Sequence, residues 1–189
     1  MIITLIQYEN GGKIEVYQQV DRTTSDFRKI YACLYCAKHT CCEYFAKQGK
    51  KVLITPAFLV HTIGNPEYEA IYASLRGTQY WGKCPDFCVY SAEHKDGVWY
   101  EHEGYDIKKD FANPIKRADT FSKMMKRGLK QSNRLIVEDC GATIRFIRRN
   151  IFNRIHYEKQ NIKEVYMRVE DGLKLLYHYN EQTRETYSI

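Results

Sequence analysis

Apolar positions alternate or run together at residues 2–8 (IITLIQY) and 13–20 (KIEVYQQV), and the GluAsnGlyGly between them is a strong hairpin signal. The pattern then changes period. Phe27, Ile30, Leu34, Cys41 and Phe45 fall on one stripe at about 100° per residue, which predicts a helix capped near Ser25 and ended by Gly49. A short buried strand follows at 51–56, and GlyAsnPro at 64–66 opens a short helix reaching Leu75. Strands are expected at 86–91 and 98–107 around LysAspGly. A helix at 114–130, a strand at 134–138, a helix at 142–157 and a strand pair at 162–169 and 173–179 turned by AspGly complete the chain.

Strands separated by helices pair in parallel through crossovers, while hairpins pair antiparallel, so the expected fold is α/β with a mixed β-sheet flanked by helices. The organisation read from this order is an N-terminal β-hairpin extension at 1–22 on a single domain at 23–189. With 189 residues the chain is long enough to bury a real core, and 24 tyrosines and phenylalanines argue against disorder. No apolar run approaches the roughly 18 residues of a membrane span. The start lacks a basic segment and a cleavage site, so no signal peptide is read and the expected place of action is a reducing cytoplasm. Seven cysteines are then expected as free thiols.

Charge adds a partner. The net charge is +6, and from Ile115 to Arg154 eleven Lys and Arg stand against three acids. On the helix at 114–130, Ile115, Ala118, Phe121, Met125 and Leu129 share one face, while Lys116, Lys123, Lys126, Arg127 and Lys130 share the other. Such a stripe repels itself unless a polyanion is bound, which points to nucleic acid; the bland reading is a solvated face. Arg145, Arg149 and His156 form a smaller patch on the next helix.

The candidate chemistry lies in residues 83–111. ProAsp at 85–86 and AspIleLys at 106–108 bring Asp86, Asp106 and Lys108 to one end of a hairpin if its strands are as long as expected, with Asp106 and Lys108 on one face. Two carboxylates can hold a divalent cation, expected to be Mg²⁺, and the lysine can steady the charge of phosphodiester hydrolysis. The alternative is that Asp86 caps a turn and the other two form a solvated strand edge. Glu101 and Glu103 compete with Asp106 for the second carboxylate, and Lys109 competes with Lys108. Cys33, Cys36, His39, Cys41 and Cys42 are dense enough to suggest zinc, but they lie on one expected helix, and small core residues are the better reading.

These residues resemble the PD-(D/E)-x-K nuclease motif. The wider order is a helix with CysGluTyrPheAla, then Gly49 and a strand, ProAsp, an acidic-x-Lys strand, LysGln at 130–131 and ArgLeuIleVal at 134–137. It looks like the toxin domains of bacterial contact-dependent growth inhibition systems, particularly their tRNases, over residues 39–177. Related domains occur in mobile elements. The resemblance implies a nuclease-like core acting on RNA, first of all tRNA, with Asp86, Asp106 and Lys108 catalytic, Glu43 completing the acidic cluster, and an immunity protein as a possible partner. A DNA endonuclease on the same core stays open. So do a catalytically silent nucleic-acid- or protein-binding module and a metal-independent ribonuclease using Lys, His and Tyr.

Overall fold

In the computed structural model, residues 2–17, 37–54, 83, 85–104, 114–179 and 186–187 are described. The chain divides by its internal contacts into an N-terminal unit, Met1–Tyr100, and a C-terminal unit, Glu101–Ile189. Both are α/β with mixed sheets.

In the N-terminal unit, β1 (Ile2–Gln7) and β2 (Lys13–Tyr17) form the expected antiparallel hairpin, with Gln7 opposite Lys13. Helix α1 (Ala37–Ala46) precedes β3 (Lys51–Ile54), which pairs parallel with β2. The hairpin read as an extension is therefore part of this unit's sheet. The extended side of β3 takes β4 (Phe87–Tyr90) antiparallel, and β4 takes the first residues of β5 (Val98–Glu103).

One side chain, Asn10, ties the hairpin turn to the end of α1. The Asn10 carboxamide oxygen accepts from the Gly12 amide at 3.1 Å, and its Nδ2 donates to the Lys47 carbonyl at 2.8 Å. Gly49, at φ +80°, then reverses the chain as a helix-ending residue must. The α1 face of the sheet is aromatic: Phe45 lies 4.8 Å from Tyr100, and Tyr100 stacks on Phe87. On the opposite face Leu53, Cys88 and Trp99 form a smaller cluster, and Glu15 is held between Lys13 at 2.6 Å and Lys51 at 3.0 Å.

In the C-terminal unit, Glu101–Glu103 of β5, β6 (Arg134–Glu138) and β7 (Glu164–Val169) run parallel. The strands β8 (Gly172–His178) and β9 (Thr186–Tyr187) add antiparallel. The crossovers are α2 (Pro114–Gly128) and α3 (Ile144–His156). Their inner faces share one core: Phe121, Met124 and Met125 from α2 and Ile147 and Ile151 from α3 pack on Leu135, Val137, Val165 and Tyr177 of the sheet. Thr143 caps α3 by accepting from the Phe146 amide at 3.3 Å. Burial of these side chains outweighs helix propensity in fixing both helices.

Several expectations are narrowed. The strand expected to reach 107 ends at Glu103. The helix expected from Ser25 is described only over Ala37–Ala46, and the helix expected from 66 to 75 lies outside the described residues.

Candidate nucleic-acid interface

Advancing 100° per residue, Ile147, Ile151 and Arg154 turn inward on α3, which leaves Arg145, Arg148, Arg149, Phe152 and His156 within about 100° on the outer side. The three arginines are exposed. Helix α3 contains no acidic residue, and among the described residues none of these guanidinium groups has an ion-pair partner. Phe152 on this face is not withdrawn into the core but 41% exposed, and at the two ends of the helix Ile144 is 40% and Tyr157 76% exposed. Phe152 lies 4.2 Å from the His156 ring at 30°, a tilted stack, and 6.2 Å from Tyr157 edge to face. Ile144, Arg145, Arg148, Arg149 and Phe152 line a groove of about 560 Å³.

On α2 the division of faces expected from sequence is present. Phe121, Met124 and Met125 are buried, and Lys123, Lys126, Arg127 and Lys130 are exposed. Arg127 departs from the reading of a stripe without acids. Its guanidinium pairs with Glu103 at 2.9 Å and donates to the Gly104 carbonyl at 2.6 Å. Its charge is offset by a carboxylate from β5, 24 residues away in sequence. This also engages Glu103, one of the two competitors for the second catalytic carboxylate. The Lys116 side chain lies outside the described residues.

The nuclease candidates are only partly described. Asp86 is half-buried at the start of β4, its amide donating to the Tyr100 carbonyl at 3.0 Å. Asp106 and Lys108 lie outside the described residues, as do Lys109, Cys33, Cys36 and Cys84. Glu43 sits on α1, accepts from Lys47 at 3.3 Å, and is hydrogen-bonded by the Tyr8 hydroxyl. The Tyr8 phenol is raised by its burial and by the Glu43 charge. Among the described residues, no three His, Cys, Asp or Glu side chains form a metal-holding group. Cys41 and Cys42 are buried thiols in the core, as expected. Burial pushes the Cys88 thiol up to about 12, so it stays protonated and apolar in character.

One polar cluster is absent from the sequence reading. Adjacent parallel strands bring together His102 of β5, Glu138 of β6 and Arg168 of β7: His102 Nε2 lies 2.7 Å and Arg168 Nε 2.6 Å from the same Glu138 oxygen. Burial alone raises the Glu138 carboxyl, but the hydrogen bonds and charges of His102 and Arg168 outweigh it and hold it below its ordinary value. The signal for this cluster is a pairing register, which residue spacing does not encode. Arg148 and Phe152, by contrast, are recoverable from the 100° spacing that found Arg145 and Arg149.

No described helix is long and apolar enough to cross a membrane. Compared with protein-family models, with characterised proteins and with solved structures, the chain matches none.

Proposed function

We propose that the chain is a nuclease-like protein that acts on RNA, tRNA foremost, binding its phosphate backbone along the outer faces of α2 and α3. The observation that carries the reading is the outer side of α3, where three exposed arginines stand with no acid on the helix and with the exposed ring of Phe152 beside them. Cations neutralise phosphates and release counterions, and rings accept unpaired bases; together they are the equipment of a nucleic-acid surface. Lys123 and Lys126 on α2 and Lys130 in the turn after it add further exposed positive charge.

The hydrolytic step is assigned to Asp86, Asp106 and Lys108 on the ProAsp and AspIleLys motifs and the resemblance they carry. Magnesium ion suits such a pair, since it retains waters and takes only one or two carboxylates; when bound it polarises the phosphate and acidifies a water. Lys108 steadies the charge that develops on the phosphate. A second reading, a binding module that does not cleave, is favoured by Glu43, whose carboxylate is engaged by Lys47 and Tyr8.

Incubation of the protein with total tRNA, an unstructured RNA and duplex DNA in Mg²⁺ separates these readings. The proposal expects cleavage of tRNA at one or a few positions, abolished in Asp86→Asn, Asp106→Asn and Lys108→Ala. Binding without cleavage selects the silent module. Preferential nicking of duplex DNA selects a DNA endonuclease, and activity that persists in chelator selects a metal-independent ribonuclease.

A further inference from the structure

The α3 groove holds more than charge. Its lining includes two half-exposed apolar side chains, Phe152 at 41% and Ile144 at 40%, so an apolar surface lies among the cations. The ring is also supported, because His156 lies 4.2 Å beneath it at 30° and Tyr157 meets its edge at 6.2 Å. A supported ring is a preorganised platform that loses little conformational entropy when a flat ligand lands on it. Arg149 and Arg145 sit about one and two turns before Phe152 on the same side, with Arg148 beside them, at the spacing over which a strand leaving the ring would present its phosphates.

We propose that the α3 groove is a stacking site for an unpaired nucleotide: one base lies on Phe152, and the flanking phosphates lie on Arg145, Arg148 and Arg149. This rests on the RNA-binding reading above and deepens it by naming the substrate class, single-stranded RNA in a loop or at an end. Two observations favour this occupant. A guanidinium trio without acids is complementary to a polyanion and repels a basic partner surface. A groove of about 560 Å³ lies within the ~300–1,000 Å³ range of small-molecule sites, which is room for a nucleotide. Bases within an A-form stem are already stacked on one another, so a ring on this surface gains nothing from them.

The test compares a fluorescein-labelled single-stranded ten-nucleotide RNA with the same sequence closed into a duplex, by anisotropy, for the full chain and for Phe152→Ala and Phe152→Trp. Stacking on one aromatic ring is worth ~1–3 kcal/mol per base, so Phe152→Ala is expected to weaken single-strand binding by roughly 5- to 150-fold. Duplex affinity is expected to stay within about twofold, the salt slope to stay unchanged, and Phe152→Trp to retain binding. Circular dichroism confirms that the variants fold. Equal losses on both RNAs, or no loss on the single strand, overturn the stacking site while leaving RNA binding intact. A parent chain that binds neither RNA overturns both.

Discussion

Arg154, only 6% exposed on α3, donates to both the carbonyl and the hydroxyl oxygen of Ser122 on α2, at 3.0 and 3.2 Å. The same guanidinium is steadied by Asn150 of its own helix at 2.9 Å and by Glu158, just past the helix end, at 3.3 Å. A buried cation is costly unless every face of it is satisfied, and here four oxygens satisfy it. Together with the Phe121–Phe146 contact, this clamp sets how the outer faces of α2 and α3 lie beside each other.

Replacing Arg154 by leucine removes those bonds and leaves the Ser122 carbonyl facing an apolar chain. The expected loss is roughly 1.5–3 kcal/mol of stability, a fall of several degrees in the thermal midpoint. Arg154→Lys is not expected to restore it, because an ammonium cannot reach two helices with a planar fork. Thermal denaturation of both variants checks this.

The hairpin turn offers a second test in the N-terminal unit. Gly12 is buried, and a Cβ there would run into the Ala46 carbonyl at the end of α1, which is backbone and cannot yield. Gly11 has φ +84° but open space around it. Gly12→Ala is therefore expected to cost about 1–3 kcal/mol by overpacking, and Gly11→Ala less, about 1 kcal/mol of backbone strain. Denaturant titration orders the two, and the reverse order contradicts the contact.

Acid dependence follows from two carboxylates. Glu15 and Glu138 are both partly desolvated, which raises them, but Lys13 and Lys51 in one case and His102 and Arg168 in the other hold the folded values below 4.5. A depressed folded value means that the stabilisation is complete above the unfolded value. It is lost as pH falls from about that value through the folded one. Stability is expected to be level at neutral pH and to decline below about pH 4.5. Glu15→Gln and Glu138→Gln are each expected to flatten that acid limb, read by thermal melts from pH 7 to 3. An unaltered limb in both variants contradicts the two pairings.

Where local spacing decides structure, the chain was readable. The strand at 134–138 was legible to the residue because Leu135, Ile136 and Val137 are a buried run bounded by charges, and α2 was legible because Phe121 and Met125 repeat at helical spacing. What depends on pairing between distant segments was not. The sheet order that joins β2 to β3, the Glu103 partner of Arg127, and the His102–Glu138–Arg168 cluster all arise from neighbours on other elements. The candidate interface was half legible: the cations declared themselves by charge, but Phe152 was not singled out, because its exposure depends on what packs against α3.

The most direct measurement is the salt dependence of tRNA affinity for the parent chain, for Lys123→Ala with Lys126→Ala, and for Arg145→Ala with Arg149→Ala. Each neutralised phosphate contributes about −0.7 to −0.9 to the slope of log affinity against log salt, so each double variant is expected to flatten the slope by roughly 1.4–1.8. If these side chains are only a solvated surface, the slopes of all three proteins coincide and the variants become slightly more stable as like charges are removed. Coincident slopes would contradict the assignment of α2 and α3 as the RNA-binding faces.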